Sequence, residues 1–350
     1  MTSSRPRVTV FIPAYNAQTY IAEAMQSVLD QAFADVELLV IDDCSTDETW
    51  TICQRFASDP RVRLERMPRN RSRPVVRNRG LALARGDYLA LLDADDRCLP
   101  GRLAQQVAYL DRYPDIDVLA TRWQGMDARG RPLKANQNVG RLSPDTVKCY
   151  LLFRGIIHNP TVMVRREAIA AYAYDPAFAV AEDYDLWARM IPHHRFAMLA
   201  DRLTAYRIYA EQASSARAAE SRARRCDIQA RELAALGLTF TNDDVRRHNL
   251  LYTGNRLFQR VFERPMDARD ARWAADWVTR IIAANAESGR FPEPALSRLC
   301  ARLLANVCRK ARPRGGIGVW RALYQAGLGG ALAASLVADW KQALVRSPGR

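Results

Sequence analysis

In YLALLDADDR, residues 88–97, an apolar run stops at three carboxylates, Asp93, Asp95 and Asp96. Like charges this close raise one another's energy unless a cation or water stands between them. Carboxylates are hard oxygen ligands, and Asp93 with Asp95 could hold Mg²⁺ or Mn²⁺ while phosphates complete the shell. An ion so placed would offset diphosphate charge and make the diphosphate a better leaving group. Zinc fits poorly, because no paired His and Cys ligands accompany these acids. The plain alternative is a solvated turn whose acids cap the following helix.

Two further acidic clusters share this pattern. VELLVIDD ends in Asp42 and Asp43, and AEDYDLW carries Glu182, Asp183 and Asp185. A carboxylate within hydrogen-bond reach of a hydroxyl can take its proton as that oxygen attacks. Residue type leaves both Glu182 and Asp183 open as such a base, and leaves Asp185 open to facing solvent. Arg73, Arg77 and Arg79 precede the acidic strand end and could bind phosphate oxygens or simply cover a helix. His158 could line a cleft, whereas His193 and His194 read as helix-end residues. No GxGxxG follows the first strand, and neither GxxxxGK[ST] nor GxSxG occurs, so Rossmann, Walker and hydrolase-elbow readings fail.

The elements that must position these groups alternate in period. RVTVFIPAYN reads as a strand, and IAEAMQSVLDQAF places Ile21, Met25, Val28 and Leu29 on one helical face. VELLVIDD is a strand covered on both faces, TDETWTICQRFA a helix capped by Thr46 or Asp47, and VRLERM a short strand. A helix through VVRNRGLALARG leads to the buried strand DYLALLD. Such alternation predicts an α/β sandwich with a largely parallel sheet, and ligands bind beyond the carboxyl ends of its strands. Both strand-end acidic clusters fall there. Further on, 123–143 reads as a hairpin or loop, NPTVMVRR as a strand, AEDYDLWARMIPHH as a helix and FAMLADRLTAYRIY as a strand. Past residue 215 only helical patterns remain, which predicts a domain over 1–215 and a helical region over 216–350.

The chain has 350 residues and a formal net charge of +14, unevenly spread. Residues 216–350 hold 24 Lys and Arg against 12 Asp and Glu, and the first 215 hold 28 against 26. An acidic polymer or an anionic membrane surface would be drawn to the C-terminal part; a solubilising basic surface is the alternative. Nucleic acid is not expected as a partner, since only charge favours it. Seven cysteines without a CxxC pair suggest neither a disulfide framework nor structural zinc, and no signal-like apolar run opens the chain. The expected location is the cytoplasm, with possible association at the inner face of the cytoplasmic membrane. The run 322–338 has no charged residue but is marginal for a membrane span.

Four ordered motifs resemble those of family 2 glycosyltransferases, inverting enzymes with the GT-A fold. They are VFIPAYNAQTYIAEAMQSVLDQ, ELLVIDDCSTDET, RNRGLALARGDYLALLDADD and AEDYDLWARM, within residues 6–210. The resemblance implies a GT-A-like α/β/α sandwich. It implies transfer of a sugar from a nucleotide diphosphate sugar, a UDP-sugar favoured, to a glycan or lipid-linked acceptor in cell-surface polysaccharide or lipid-linked glycan synthesis. By position, Pro13, Ala14 and Tyr15 would line the nucleotide pocket, and Asp43 would contact the base with Asp42 in support. Asp93 and Asp95 match the DxD motif for ribose and metal-diphosphate. Asp183 matches the catalytic base, with Glu182 near the acceptor. In TAYRIYAEQAS, Arg207 keeps the family's basic residue, but Tyr209 stands where the family commonly has a histidine. A metal-dependent nucleotidyltransferase and a non-catalytic carbohydrate-binding protein are the rival readings.

Overall fold

The structure, a computed structural model, describes residues 5–136, 142–209, 217–252 and 255–311 with Gly327, Gly329 and Gly330. The chain divides into two compact units, one of residues 1–144 with 157–221, the other of 145–156 with 222–350.

The first unit is built on a sheet. Strands β1 (Val8–Ala14), β2 (Val36–Asp42), β3 (Val62–Arg66) and β4 (Tyr88–Leu91) run parallel, joined through helices α1 (Ile21–Leu29), α2 (Thr49–Gln54) and α3 (Arg73–Leu83). They are followed by β5 (Arg97–Cys98), α4 (Arg102–Arg112), β6 (Val118–Met126), β7 (Pro132–Asn136), β8 (Met163–Arg165) and β9 (Phe196–Arg207). The order across the sheet is β3-β2-β1-β4-β8-β6-β9-β5, with β7 paired to β6. β8 is antiparallel to both β4 and β6, while β9 again runs parallel to β6. This is the α/β sandwich expected from the alternation, in the α/β/α form that the family resemblance implies.

Each face of the sheet has its cover. On one, Val8, Val10 and Ile12 join Ile21, Met25 and Val28 of α1 and Leu103, Val107 and Leu110 of α4 in a single core cluster. On the other, Phe11 lies against Gly80 of α3, where a Cβ would come within 2.4 Å of the ring. Only glycine lets α3 sit this close. Every residue of β2 is buried, which is why it reads as an unbroken apolar run.

Local differences from the expected elements have simple causes. NPTVMVRR becomes a 3₁₀ turn at Asn159–Thr161 and then a three-residue strand, because Pro160 lacks the N–H a ladder needs. The residue at the N-cap position of α2 is Glu48; Asp47, one position earlier, accepts the Thr49 N–H at 2.9 Å. The 123–143 segment contains the β6–β7 hairpin, and residues 137–141 lie outside the described residues.

The second unit is helical. It takes in residues 145–153 of α5 (Pro144–Phe153) and 222–235 of α8 (Ala218–Ala235), together with α9 (Asn242–Leu250), α10 (Asn255–Phe262), α11 (Ala268–Ser288) and α12 (Ala295–Lys310). The short α6 (Arg166–Ile169) and α7 (Glu182–Met190) belong to the first unit. Thr241 with Asp244 and Asp267 with Asp270 form capping boxes at α9 and α11. His248 is fully buried: Trp277 Nε1 donates to its Nδ1 at 2.9 Å, and its Nε2 lies 2.9 Å from the Leu152 carbonyl. Trp can only donate, so Nε2 carries the hydrogen and the ring is neutral; burial pushes its pKa down to about 4. Nearly all of 322–338 lies outside the described residues. Among the described residues no helix is long and apolar enough to cross a membrane.

Candidate active site

The carboxyl ends of β1, β2 and β4 open onto a cleft of about 700 Å³. Pro13, Ala14 and Tyr15 form its wall beyond β1, Asp43 beyond β2, and Asp93 and Asp95 beyond β4. Arg73 and Val76 contribute from α3, and Tyr206 and Tyr209 from the end of β9. A smaller cavity of about 360 Å³ sits at the opposite strand ends, where Arg5 and Arg7 pair with Asp87 and Arg7 also pairs with Asp111.

The loops around the cleft are laced together. Ser45 Oγ accepts the Asn16 N–H at 3.0 Å, Asn16 Oδ1 accepts the Thr46 N–H at 3.0 Å, and Thr49 Oγ1 accepts the Ala17 N–H at 2.7 Å. Five non-glycine residues among those described have positive φ, and four of them lie here: Asn16 (46°), Cys44 (60°), Ser72 (105°) and Ala181 (61°). Such backbone costs of order 1–3 kcal/mol per residue and collects at working sites.

Asp42 and Asp43 divide their tasks. Asp42 is fully buried; its Oδ2 accepts from Ser45 N at 3.2 Å and Arg66 Nε at 3.1 Å. It braces the loop and is not on the cleft wall. Asp43 lines the cleft while accepting the backbone N–H groups of Arg71 at 2.9 Å and Ser72 at 3.2 Å. Burial holds its pKa above the ordinary carboxylate value, against those two hydrogen bonds.

The third acid of the opening run does something different from its neighbours. Asp96 is fully buried, accepts the Arg207 N–H at 2.8 Å, and ties β9 to the turn after β4. Burial and then the nearby Asp95 and Asp93 push its pKa well up. Asp95 accepts the Tyr209 hydroxyl at 2.9 Å, and burial followed by Asp93 raises its pKa. Tyr209 packs at a tilt against Tyr20, their ring centroids 5.5 Å apart, and Arg207 lies 4.3 Å over the Tyr20 ring. Arg207 donates through Nε to the Asp95 carbonyl at 2.7 Å and pairs with Glu23.

At the start of α7, Glu182 is 3% exposed and Asp185 1% exposed. Asp185 does not face solvent: it pairs with Arg189 one turn on, at 2.9 Å, because its helical position points it into the unit. Asp183 keeps some exposed surface, and its Oδ1 accepts the Tyr184 N–H at 2.8 Å. Burial and then the Glu182 charge push its pKa up to about 6, against the pull of Arg77. Glu182 lies 3.5 Å from Arg73 Nη1 and 3.3 Å from Arg77 Nη1. Arg73 reaches the cleft, but Arg77 does not line it; only 2% exposed, it donates to Asp93 Oδ1 at 2.9 Å. Arg79 pairs outward with Glu65. His158 packs with Trp123 and Tyr206 and does not line the cleft.

Residues 9–172 match the model of glycosyl transferase family 2. An uncharacterized glycosyltransferase of Methanocaldococcus jannaschii is 30% identical over 208 residues, 58% of this chain and 71% of the relative. The chain belongs to glycosyltransferase family 2. Its fold is that of S. aureus TarS 1–349, solved in complex with UDP-GlcNAc, with a TM-score of 0.59 at 20% identity over 92% of each chain. It also resembles a mannosyltransferase of Pyrobaculum calidifontis, solved with GDP-Man and Mn²⁺, with a TM-score of 0.51 at 19% identity over 96% of this chain and 87% of that one.

Among the described residues no three His, Cys, Asp or Glu side chains could hold a metal by themselves. Family 2 implies a divalent ion, and the acids fit one held jointly with phosphates. Asp93 and Asp95 both line the cleft; Asp95 Oδ2 takes the Tyr209 hydroxyl and Asp93 Oδ1 takes Arg77, so each carboxylate keeps a second oxygen that could serve as a ligand. Two hard oxygens with a donor diphosphate suit Mg²⁺ or Mn²⁺.

Sequence reading missed Tyr20, Val76 and Tyr206 on the cleft wall. Tyr206 stands one residue before Arg207 near the end of β9, and strand alternation puts the two on opposite faces. Fully buried Arg102 was missed too; it donates to the Leu91 carbonyl at 2.8 Å and holds the end of β4.

Proposed function

We propose that this glycosyltransferase moves a sugar from a nucleotide diphosphate sugar to an acceptor hydroxyl with inversion at the anomeric carbon. The observation that carries the reading is one cleft lined by Asp43, Asp93 and Asp95, to which Arg73 and Arg77 tie Glu182, the neighbour of Asp183 in the first turn of α7. Tyr15, Ala14 and Pro13 would receive the nucleotide, Asp43 its base, and Asp93 the ribose. Asp93 and Asp95 would hold Mg²⁺ or Mn²⁺, which would neutralise charge on the leaving diphosphate. Asp183, ionised above its raised pKa, would accept the hydroxyl proton as the acceptor oxygen bonds to the anomeric carbon. The bond to the diphosphate breaks and its electron pair leaves with the nucleotide. Glu182 and Arg73 would orient the acceptor.

A uridine donor is favoured by the family resemblance, and the TarS complex with UDP-GlcNAc agrees with it. The acceptor proposed is a growing cell-surface polysaccharide or a lipid-linked glycan. The surplus of basic residues in 216–350 suits an acidic acceptor or an anionic membrane.

The test is a panel of UDP- and GDP-sugars scored by thermal shift with and without Mn²⁺, since a ligand of the folded state raises its stability. Turnover of the best donor is then followed by NMR. Metal-dependent stabilisation and an inverted anomeric product are expected. Pyrophosphate release from a nucleoside triphosphate and a sugar phosphate would instead make the chain a nucleotidyltransferase. Donor binding without turnover on any acceptor would make it a binding protein.

A further inference from the structure

Arg77 is buried beside the cleft and incompletely hydrogen-bonded. It is 2% exposed, yet only Nη2 makes a hydrogen bond of good geometry, to Asp93. Its Nε and Nη1 have no hydrogen-bond partner, although Nη1 lies 3.3 Å from Glu182 Oε1. Burying a guanidinium with donors unspent is costly. Three acids explain its presence. Asp93 comes from the end of β4, and Glu182 and Asp183 from the first turn of α7. Drawn together without a cation, they would repel one another and push the start of α7 away from the sheet.

The surroundings keep Arg77 in place. Its guanidinium lies 5.4 Å from the centre of the Tyr174 ring. Tyr174 is itself pinned to α3 by Asn78, which donates to the Tyr174 carbonyl at 2.8 Å and accepts its N–H at 2.7 Å. The Tyr174 hydroxyl donates to Asn159 at 3.1 Å. Burial alone would lower the Arg77 pKa; Asp93, Glu182, Tyr174 and Asp183 together outweigh it and hold the cation charged. Arg73 also reaches Glu182, but its side chain is 43% exposed, so water screens it.

We propose that Arg77 is a positioning residue: it ties the Asp93 end of β4 to the Glu182–Asp183 turn of α7, and so fixes the distance between donor and base without touching either substrate. This rests on the glycosyltransferase mechanism above. It differs from a phosphate-contact role for the same residue, which would require Arg77 on the cleft wall.

Arg77→Met, of similar length and without charge, and Arg77→Lys separate the two roles, with Arg79→Ala as an outward-facing control. Binding is measured by calorimetry with UDP and Mn²⁺, and turnover with the donor and acceptor that the wild-type chain uses. Arg77→Met is expected to lower kcat by about a hundredfold, the scale of a 1 Å misplacement, with UDP affinity unchanged. Arg77→Lys should recover part of that loss. Wild-type kcat in a folded Arg77→Met overturns the proposal, and so does lost UDP affinity with kcat intact. If Arg77→Met does not fold, Arg77→Lys decides: an intermediate kcat supports the tie, and an unchanged one overturns it. A wild-type chain inactive on every donor would overturn the mechanism instead, and hydrogen exchange would then judge Arg77. Faster exchange across 182–186 in Arg77→Met or Arg77→Lys, but not in Arg79→Ala, supports the tie; equal exchange overturns it.

Discussion

Asp183, the proposed base, would serve catalysis and weaken the fold together. Its pKa stands near 6 because burial and Glu182 disfavour its charge. As a base it works ionised, so kcat/KM should rise with pH through about 6 and level off above. Asp183→Asn should lower turnover more than about a hundredfold and leave UDP binding intact, because the nucleotide is proposed to sit at the β1, β2 and β4 ends. The stability effect has the opposite sign. A folded-state pKa above the ordinary 3.8 means the folded chain binds this proton more tightly than the unfolded chain. The stabilisation is full below about 3.8 and is lost as pH rises through about 6. At pH 8 the ionised group is a liability, and Asp183→Asn should melt higher than wild type, with the gap closing towards pH 5. An Asn variant that melts lower at pH 8, or a rate profile flat between pH 5 and 7, would contradict this assignment. Glu182→Gln should cost less turnover than Asp183→Asn; the reverse order would move the proton to Glu182.

At the scale of elements, the α3–β1 contact shows what could be read in advance and what could not. β1, β2 and β4 were legible because strands covered on both faces are continuous apolar runs, and each ends at chemistry-bearing residues. Asp43, Asp93 and Asp95 line the cleft for that reason, as beyond-strand positions do in such sheets. In RSRPVVRNRG the spacing of Arg73 and Arg77 puts both on one side of α3, but nothing in the run says that Arg77 is buried and Arg79 is not. That depends on Tyr174 and Glu182, about a hundred residues on, whose contacts leave no local period. Arg102 was hidden likewise, since a buried cation in an amphipathic helix looks like a surface one. Gly80 was legible only as a glycine, and its reason lies in Phe11 of another element. Gly80→Ala would drive a methyl group into that ring and should cost about 1–3 kcal/mol, seen as a lower urea midpoint. An unchanged midpoint would mean that α3 can move off β1 freely.

For the whole molecule, the distribution of charge matters more than its total. The first 215 residues are nearly balanced, and residues 216–350 hold twelve more Lys and Arg than Asp and Glu. Many acids of that region are already committed within it. Glu232 pairs with Arg231 and Arg290, Asp243 with Arg247, and Asp270 with Arg247 and Arg264. Paired charges cancel at short range, so the surplus sets the field at a distance. An anionic surface would be attracted by about 1 kcal/mol for each Lys or Arg brought near it, within a Debye length of roughly 10 Å at 0.1 M salt. We therefore expect the chain to sediment with vesicles containing phosphatidylglycerol at 0.1 M NaCl, to stay in solution with pure phosphatidylcholine, and to be released near 1 M NaCl. Residues 5–221 alone, nearly neutral, are the comparison if that segment folds by itself, and they should bind neither vesicle. Equal binding to both lipids would point to apolar insertion rather than charge. Failure to bind phosphatidylglycerol would assign the surplus to another acidic partner, such as a negatively charged glycan acceptor, which salt-dependent binding to hyaluronate as a model polyanion would register.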